Sequence, residues 1–287
     1  MTRPIVRAFF DEATFTVSYV VSDPESARAA IIDSVLDYDP DAGRTCSDSA
    51  DEILAYIKDA DLGIDWILET HVHADHLSGA AGIKTQVGGR TAIGTDVAAV
   101  QNIFKEIFNI ADLPVDGSQF DHLLVDGETF AIGNIEARVI ATPGHTPACV
   151  TYVVGDNAFV GDTLFMPDFG TARTDFPGGS AAQLYASIQK IFSLPDATRL
   201  FMCHDYKAPD RDVFAWETSV LEQRNNNVHI NQGVSEREFI ALREERDSQL
   251  GMPRLLLPAI QVNIRAGMLP DAEDNGIRYL KIPVDTV

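Results

Sequence analysis

The chain predicts an α/β fold, and three observations carry that expectation. Apolar, β-branched runs of strand length alternate with amphipathic helical segments along its 287 residues. Several of those apolar runs end directly on a histidine or an aspartate. No low-complexity linker or composition break interrupts the pattern, so one domain spanning 1–287 is expected, with a helical, partly extended C-terminal region over about 205–287.

Taken in order, FTVSYVVS (15–22) and AAIIDSV (29–35) are rich in β-branched residues and flank the polar turn DPES, which predicts two strands. SDSADEILAYIKDA (47–60) offers polar caps followed by Ile53, Leu54 and Ile57 at helical spacing. IDWILET (64–70) is a buried strand that delivers His71 at its carboxyl end. A Gly/Ala-rich helix, a short strand near 91–94 and a helix over 97–108 follow. From 121 to 161 Gly, Asp and Asn break the text into strands, HLLV, ETFAI, IEARVIAT, CVTYVV and NAFVG. The spacing then predicts a helix over 181–194, a strand over 198–203, and helices over 216–227 and 235–250.

Charge narrows the function classes. With 22 basic and 43 acidic residues the chain carries −21, which repels phosphate backbones and anionic lipid. No nucleic-acid partner and no membrane partner is expected. No apolar run approaches the roughly 20 residues of a membrane span, and the N-terminus lacks the apolar stretch of a secretory signal. Cys46, Cys149 and Cys203 are odd in number and lack a zinc-finger spacing, so they read as reduced thiols of a cytoplasmic protein.

The chemistry concentrates in ETHVHADHLSG (69–79), which places three of only seven histidines within six residues as H-x-H-x-D-H. Further metal-competent side chains follow apolar strands: His145 in ATPGHTP, Asp162 in FVGDTLF and His204 in LFMCHDY. Strands that share an edge deliver such side chains to a common point, and imidazole with carboxylate suits zinc or iron. Asp75 alone could be a helix cap, but four strand-end placements together predict a metal centre. His122 and His229 lie outside these motifs and read as solvent-facing or capping residues.

THVHADH with the later PGHT, GD and CHD resembles the metallo-β-lactamase superfamily, whose fold is an αββα sandwich. The superfamily motif is specific for fold and metal but not for the reaction. THVHADHLSGA, TPGHTPACVTYVV, RTDFPGG, AAQLYASIQKIFSLP, HDY and VNIRAG together look like the persulfide dioxygenases, also called sulfur dioxygenases, and span essentially the whole chain. MPDFGTARTDF departs from the shorter, cysteine-containing loop of the mitochondrial type and implies a bacterial-type branch. The rhodanese domain to which many bacterial relatives are fused is not expected within these 287 residues.

This resemblance implies one Fe(II) per chain held by His71, His145 and Asp162, a two-histidine, one-carboxylate triad that leaves open positions for substrate sulfur and O2. It makes His73, Asp75, His76 and His204 either groups that orient those ligands or holders of a second metal. The implied reaction oxidises glutathione persulfide with O2 to sulfite and glutathione. The alternative is a glyoxalase II-like hydrolase of hydroxyacylglutathione thioesters, which uses the same residues for a binuclear site. Glutathione has two carboxylates, so Arg173, Lys207 and Arg265 are expected to bind it, with Tyr206 and Asn263 as neutral hydrogen-bonding partners. Arg173 has a competing expectation, an ion pair with Asp175. Assembly into a homodimer stays open.

Overall fold

The structure, a computed structural model, describes residues 3–286. Its first half runs β1 (Ile5–Asp11), β2 (Thr16–Asp23), β3 (Arg28–Ile32), β4 (Val35–Asp39), β5 (Arg44–Cys46), α1 (Asp48–Asp59), β6 (Gly63–Leu68), β7 (Leu77–Ser78), α2 (Ala80–Val87), β8 (Arg90–Gly94) and α3 (Val97–Ile107). The second half runs β9 (His122–Leu124), β10 (Thr129–Ile132), β11 (Ile135–Ala141), β12 (Val150–Val154), β13 (Asn157–Phe159), α4 (Ala181–Phe192), β14 (Arg199–Phe201), β15 (Glu217–Ser219), α5 (Val220–Asn226), α6 (Glu236–Asp247) and α7 (Leu256–Asn263).

Two six-stranded sheets form the centre, ordered β1-β2-β3-β6-β8-β9 and β10-β11-β12-β13-β14-β15, beside a small sheet β5-β4-β7. Strand side chains alternate between faces, and here both faces are apolar. On one face of the first sheet Val17, Tyr19, Val21, Ala30 and Ile32 meet Val139, Tyr152 and Phe159 of the second sheet. On its other face Val20, Ala29 and Ile31 meet Ile53 and Ile57 of α1 and Ile83 of α2. The second sheet turns Ala158 and Leu200 toward Leu184 and Ile188 of α4 and Phe239 of α6. Helices thus cover both outer faces, giving the expected αββα sandwich.

Parallel pairings in both sheets set up the site. β6 runs parallel to β3 and β8, and β13 runs parallel to β14. Carboxyl ends of parallel strands lie on one edge, so the segments after β6, β13 and β14 emerge together. These carry His71, Asp162 and His204.

Three local expectations change. Residues 216–227 are not one helix: Glu217–Ser219 pair with β14, and Ser219 then caps α5 by accepting from Glu222 N. β1 was not evident in the sequence, yet all seven of its residues pair with β2. α7 was missed because its apolar face wraps most of the helix: Leu256, Ala259, Ile260 and Val262 are all buried. Pro258 is tolerated because it lies in the first turn, where the N–H that proline lacks would have had no intrahelical acceptor.

Candidate metal centre

His71, His73, Asp75 and His76 lie on the loop between β6 and β7, His145 on the loop between β11 and β12, Asp162 after β13 and His204 after β14. All seven come together. The ligating atoms of His71, His145 and Asp162 lie within 4.8 Å of one another, and so do those of His73, Asp75, His76 and His204. Asp162 stands between the two groups: its Oδ2 is 3.7 Å from His145 Nε2 and its Oδ1 is 3.4 Å from His204 Nε2.

Each imidazole is anchored through one nitrogen. His71 Nδ1 lies 3.0 Å from Thr70 Oγ1, and His145 Nδ1 is 2.8 Å from the Arg173 carbonyl. His76 Nδ1 is 3.3 Å from Thr16 Oγ1, and His204 Nδ1 is 3.2 Å from the Phe15 carbonyl. His73 instead uses Nε2, 3.0 Å from Asp33 Oδ1 and 3.2 Å from Glu69 Oε2. The opposite nitrogens, His71 Nε2, His73 Nδ1, His76 Nε2 and His204 Nε2, are buried without a hydrogen-bond partner, as are Asp75 Oδ2 and Asp162 Oδ1. Buried polar atoms are rarely left unpaired, and an unpaired set that converges on one point fits a cation.

Electrostatics agree with that assignment. Burial and the neighbouring imidazoles hold His71 well below its ordinary value, so it is neutral at neutral pH, the form in which an imidazole can hold a metal. Burial would raise the Asp75 carboxyl, but His204 and His76 beside it hold it well below the usual range. Burial disfavours a charged His73, yet Asp33 and Glu69 outweigh it and push its value well up.

The surrounding backbone is built to this geometry. A Cβ at Gly161, which has φ +52°, would meet Thr70 Oγ1 at 2.5 Å, so only glycine lets the strand turn toward Asp162 beside Thr70. Gly144, with φ +144°, presses the loop bearing His145 onto α4, where a Cβ would come within 2.4 Å of Leu184 N.

Asp33 and Glu69 were not singled out from sequence. Asp33 accepts from Thr70 N at 2.7 Å and Thr70 Oγ1 at 2.9 Å as well as facing His73. Ser78 Oγ donates to Glu69 at 2.6 Å. A polar residue directly after the apolar run AAII of β3 was the one available signal.

The expected substrate-binding residues fare differently. Arg173 lines the cavity over the metal site, but its fork is taken: Nε and Nη2 donate to Asp175 at 2.6 Å each, and Nη1 to the Gly251 carbonyl at 2.7 Å. This is the competing ion-pair expectation. Asn263 is a brace: its Oδ1 accepts from Ser78 N at 2.8 Å, and its Nδ2 donates to the carbonyls of His73 and His76 at 2.8 Å each. Arg265 is half-buried and donates to the Gln261 carbonyl, while Lys207 sits 3.3 Å from Asp212 and over the Phe214 ring. Neither lines the cavity. Tyr206 does, stacked on His204 with ring centroids 5.8 Å apart.

That cavity, about 430 Å³, is floored by Asp75, His145 and Asp162 and walled by Phe165, Phe169, Phe176 and Tyr206. His229, expected as a solvent-facing or capping residue, is 5% exposed and lines it too. His122, on the edge strand β9 away from the cavity, is half-buried and paired with Glu128. Cys149 is pushed up to about 12 by burial, and burial also raises Cys203 well above a normal thiol, so both remain protonated thiols.

Similarity to known sequences decides the family. Residues 12–204 match the sequence pattern of the metallo-β-lactamase superfamily. The chain belongs to that superfamily. Within the superfamily it is 54% identical to a probable metallo-hydrolase of Burkholderia pseudomallei, over 98% of this chain and 99% of that one. It is 50% identical to glyoxylase B2 of Dictyostelium discoideum, over 98% and 97%. It spans 65% of the length of a β-lactamase hydrolase-like protein of Xylella fastidiosa. More distantly, the mitochondrial persulfide dioxygenase ETHE1 of Homo sapiens is 30% identical over 92% of this chain and 89% of its own. The crystal structure of ETHE1 from Myxococcus xanthus superposes with a TM-score of 0.74 at 29% identity, covering 92% of this chain and all of that one. In that fold, the residues gathered here are a set that could hold a metal ion.

Proposed function

We propose that this superfamily member is a persulfide dioxygenase that uses one Fe(II) per chain to oxidise glutathione persulfide with O2, releasing sulfite and glutathione. The observation that supports it best is the donor set itself. His71, His145 and Asp162 form a compact group of two imidazoles and one carboxylate that does not include His73. Such a triad leaves several positions of an octahedral ion open, as iron oxygenases need. Ferrous iron held there would supply electrons to O2, which zinc cannot do. The chain's own part is to hold His145 against the Arg173 carbonyl and His71 against Thr70, and to surround the open side with Phe165, Phe169 and Tyr206, which limit water. Likeness to the persulfide dioxygenases over nine-tenths of the chain supports the same reading.

A second reading is a binuclear glyoxalase II-like thioester hydrolase. His73, Asp75, His76 and His204 make a second donor set with buried, unpartnered atoms, and glyoxylase B2 is the nearer relative in identity. One experiment separates them. Protein purified without oxygen should contain one iron per chain and consume O2 with glutathione persulfide, while leaving S-lactoylglutathione intact. Two tightly held zinc ions per chain with rapid thioester hydrolysis would replace the dioxygenase by the hydrolase.

A further inference from the structure

The cavity above the metal site has a charge pattern opposite to that of the molecule. Although the chain carries −21, the carboxylates lining this cavity are Asp75 and Asp162 at its floor, whereas four arginines line it. Arg173 is taken by Asp175, and Arg243 is balanced by Asp247 at 2.7 Å. Arg246, in the last turn of α6, and Arg254, just before α7, are exposed and have neither an ion pair nor a side-chain hydrogen bond among the described residues. Two guanidinium groups so placed leave positive charge on the cavity lining that no neighbouring carboxylate among the described residues neutralises.

Deeper in, Arg243 is 2% exposed and its Nε has no partner. His229 accepts from Thr171 N at 3.0 Å through Nδ1, which leaves the ring proton on Nε2 as a donor. This side of the cavity therefore offers donors and positive charge, and no acceptor charge, to whatever enters.

We infer that Arg246 and Arg254 anchor the carboxylate end of a thiol-derived substrate bearing at least two carboxylates, placing its sulfur end toward His145 and Asp162. This rests on the proposed thiol-based reaction for the choice of ligand, but the anchoring itself is a binding property common to either chemistry. The fork geometry suits planar carboxylates, and the cationic mouth would draw a small anion through an otherwise repulsive field. The residues expected from sequence, Lys207 and Arg265, are replaced in this role by one arginine of α6 and one that precedes α7.

The test is calorimetric titration of the anaerobic, metal-loaded protein with reduced glutathione and with its diethyl ester, in which both carboxylates are masked. Wild type should prefer the free acid, and the preference should shrink with added salt. Arg246→Gln and Arg254→Gln should each weaken glutathione binding about ten-fold, the low end for a charged hydrogen bond, and leave ester binding unchanged. Metal content and circular dichroism should stay at wild-type values. Arg7→Gln, on β1 against Phe9 and Tyr56, controls for the lost charge and should bind as wild type does. Wild-type affinity for glutathione in both pocket variants, equal losses for acid and ester, or no salt-sensitive preference in wild type would overturn the inference. Because no turnover is needed, intact arginine-dependent binding without O2 uptake would count against the dioxygenase reading alone.

Discussion

Asn263 holds the metal loop from a distance of nearly two hundred residues in sequence. Its three hydrogen bonds, to Ser78 N and to the His73 and His76 carbonyls, are all buried. Asn263→Ala leaves those groups unpaired and should lower unfolding stability by about 2–4 kcal/mol in urea titrations, with metal content falling as the loop loosens. A substrate-binding role would instead raise KM at unchanged stability and metal content. The metal ligands make a second contrast. His145→Ala removes one donor of the compact triad and should abolish both bound metal and turnover. His76→Ala should keep most of the metal if His76 only orients the site, losing about 10–100-fold in activity. Equal metal loss in the two variants, read by elemental analysis, would make His76 a ligand and support a binuclear centre.

At the level of elements, short loops are made rigid by what they press against. The loop carrying His145 lies on α4 through Gly144, and Gly144→Ala sets a Cβ against Leu184 backbone at a φ that L-residues avoid. Thermal melts should show a loss of about 1–3 kcal/mol, and His145 should shift with it, reducing metal occupancy. α6, which carries Arg243 and Arg246 into the cavity, starts with a capping box between Ser235 and Glu238. Ser235→Ala should cost about 1 kcal/mol of stability with little change in metal content, because the cap lies at the opposite end of the helix from the cavity arginines. A large activity loss in that variant would mean that the arginines depend on the helix start more than its packing suggests. Among the described residues no helix is long and apolar enough to cross a membrane.

Across the whole molecule, buried histidines couple stability to pH. His229 is lowered to about 4 by burial, then by Arg243 and Arg246. Between its folded value and the ordinary value near 6.5, the unfolded chain binds a proton that the folded chain refuses. Stability from this group is therefore complete above about pH 6.5 and is lost as the pH falls toward 4, with an upper bound of roughly 3 kcal/mol. Urea unfolding of wild type and His229→Gln at pH 7.5 and pH 5, in the same metal state, should show a steeper loss in wild type. Equal slopes would place the His229 proton uptake elsewhere.

The sandwich and the metal centre were legible locally because each rests on short-range order. Alternating apolar residues such as Val17, Tyr19 and Val21 must bury one strand face, and H-x-H-x-D-H places four polar side chains on one loop whatever lies opposite. Strand-end positions for His145, Asp162 and His204 added the convergence. What surrounds that centre depended on chain crossings that no local pattern encodes. Asp33 became the support of His73, Asn263 a brace of the metal loop, and Arg246 and Arg254 part of the cavity lining, only once β3, α6 and α7 were placed. A charged or amide side chain is equally compatible by type with an ion pair, a backbone brace or a ligand contact. Which of these it makes is decided by the groups that tertiary packing sets within hydrogen-bond reach, as Asp175 does for Arg173.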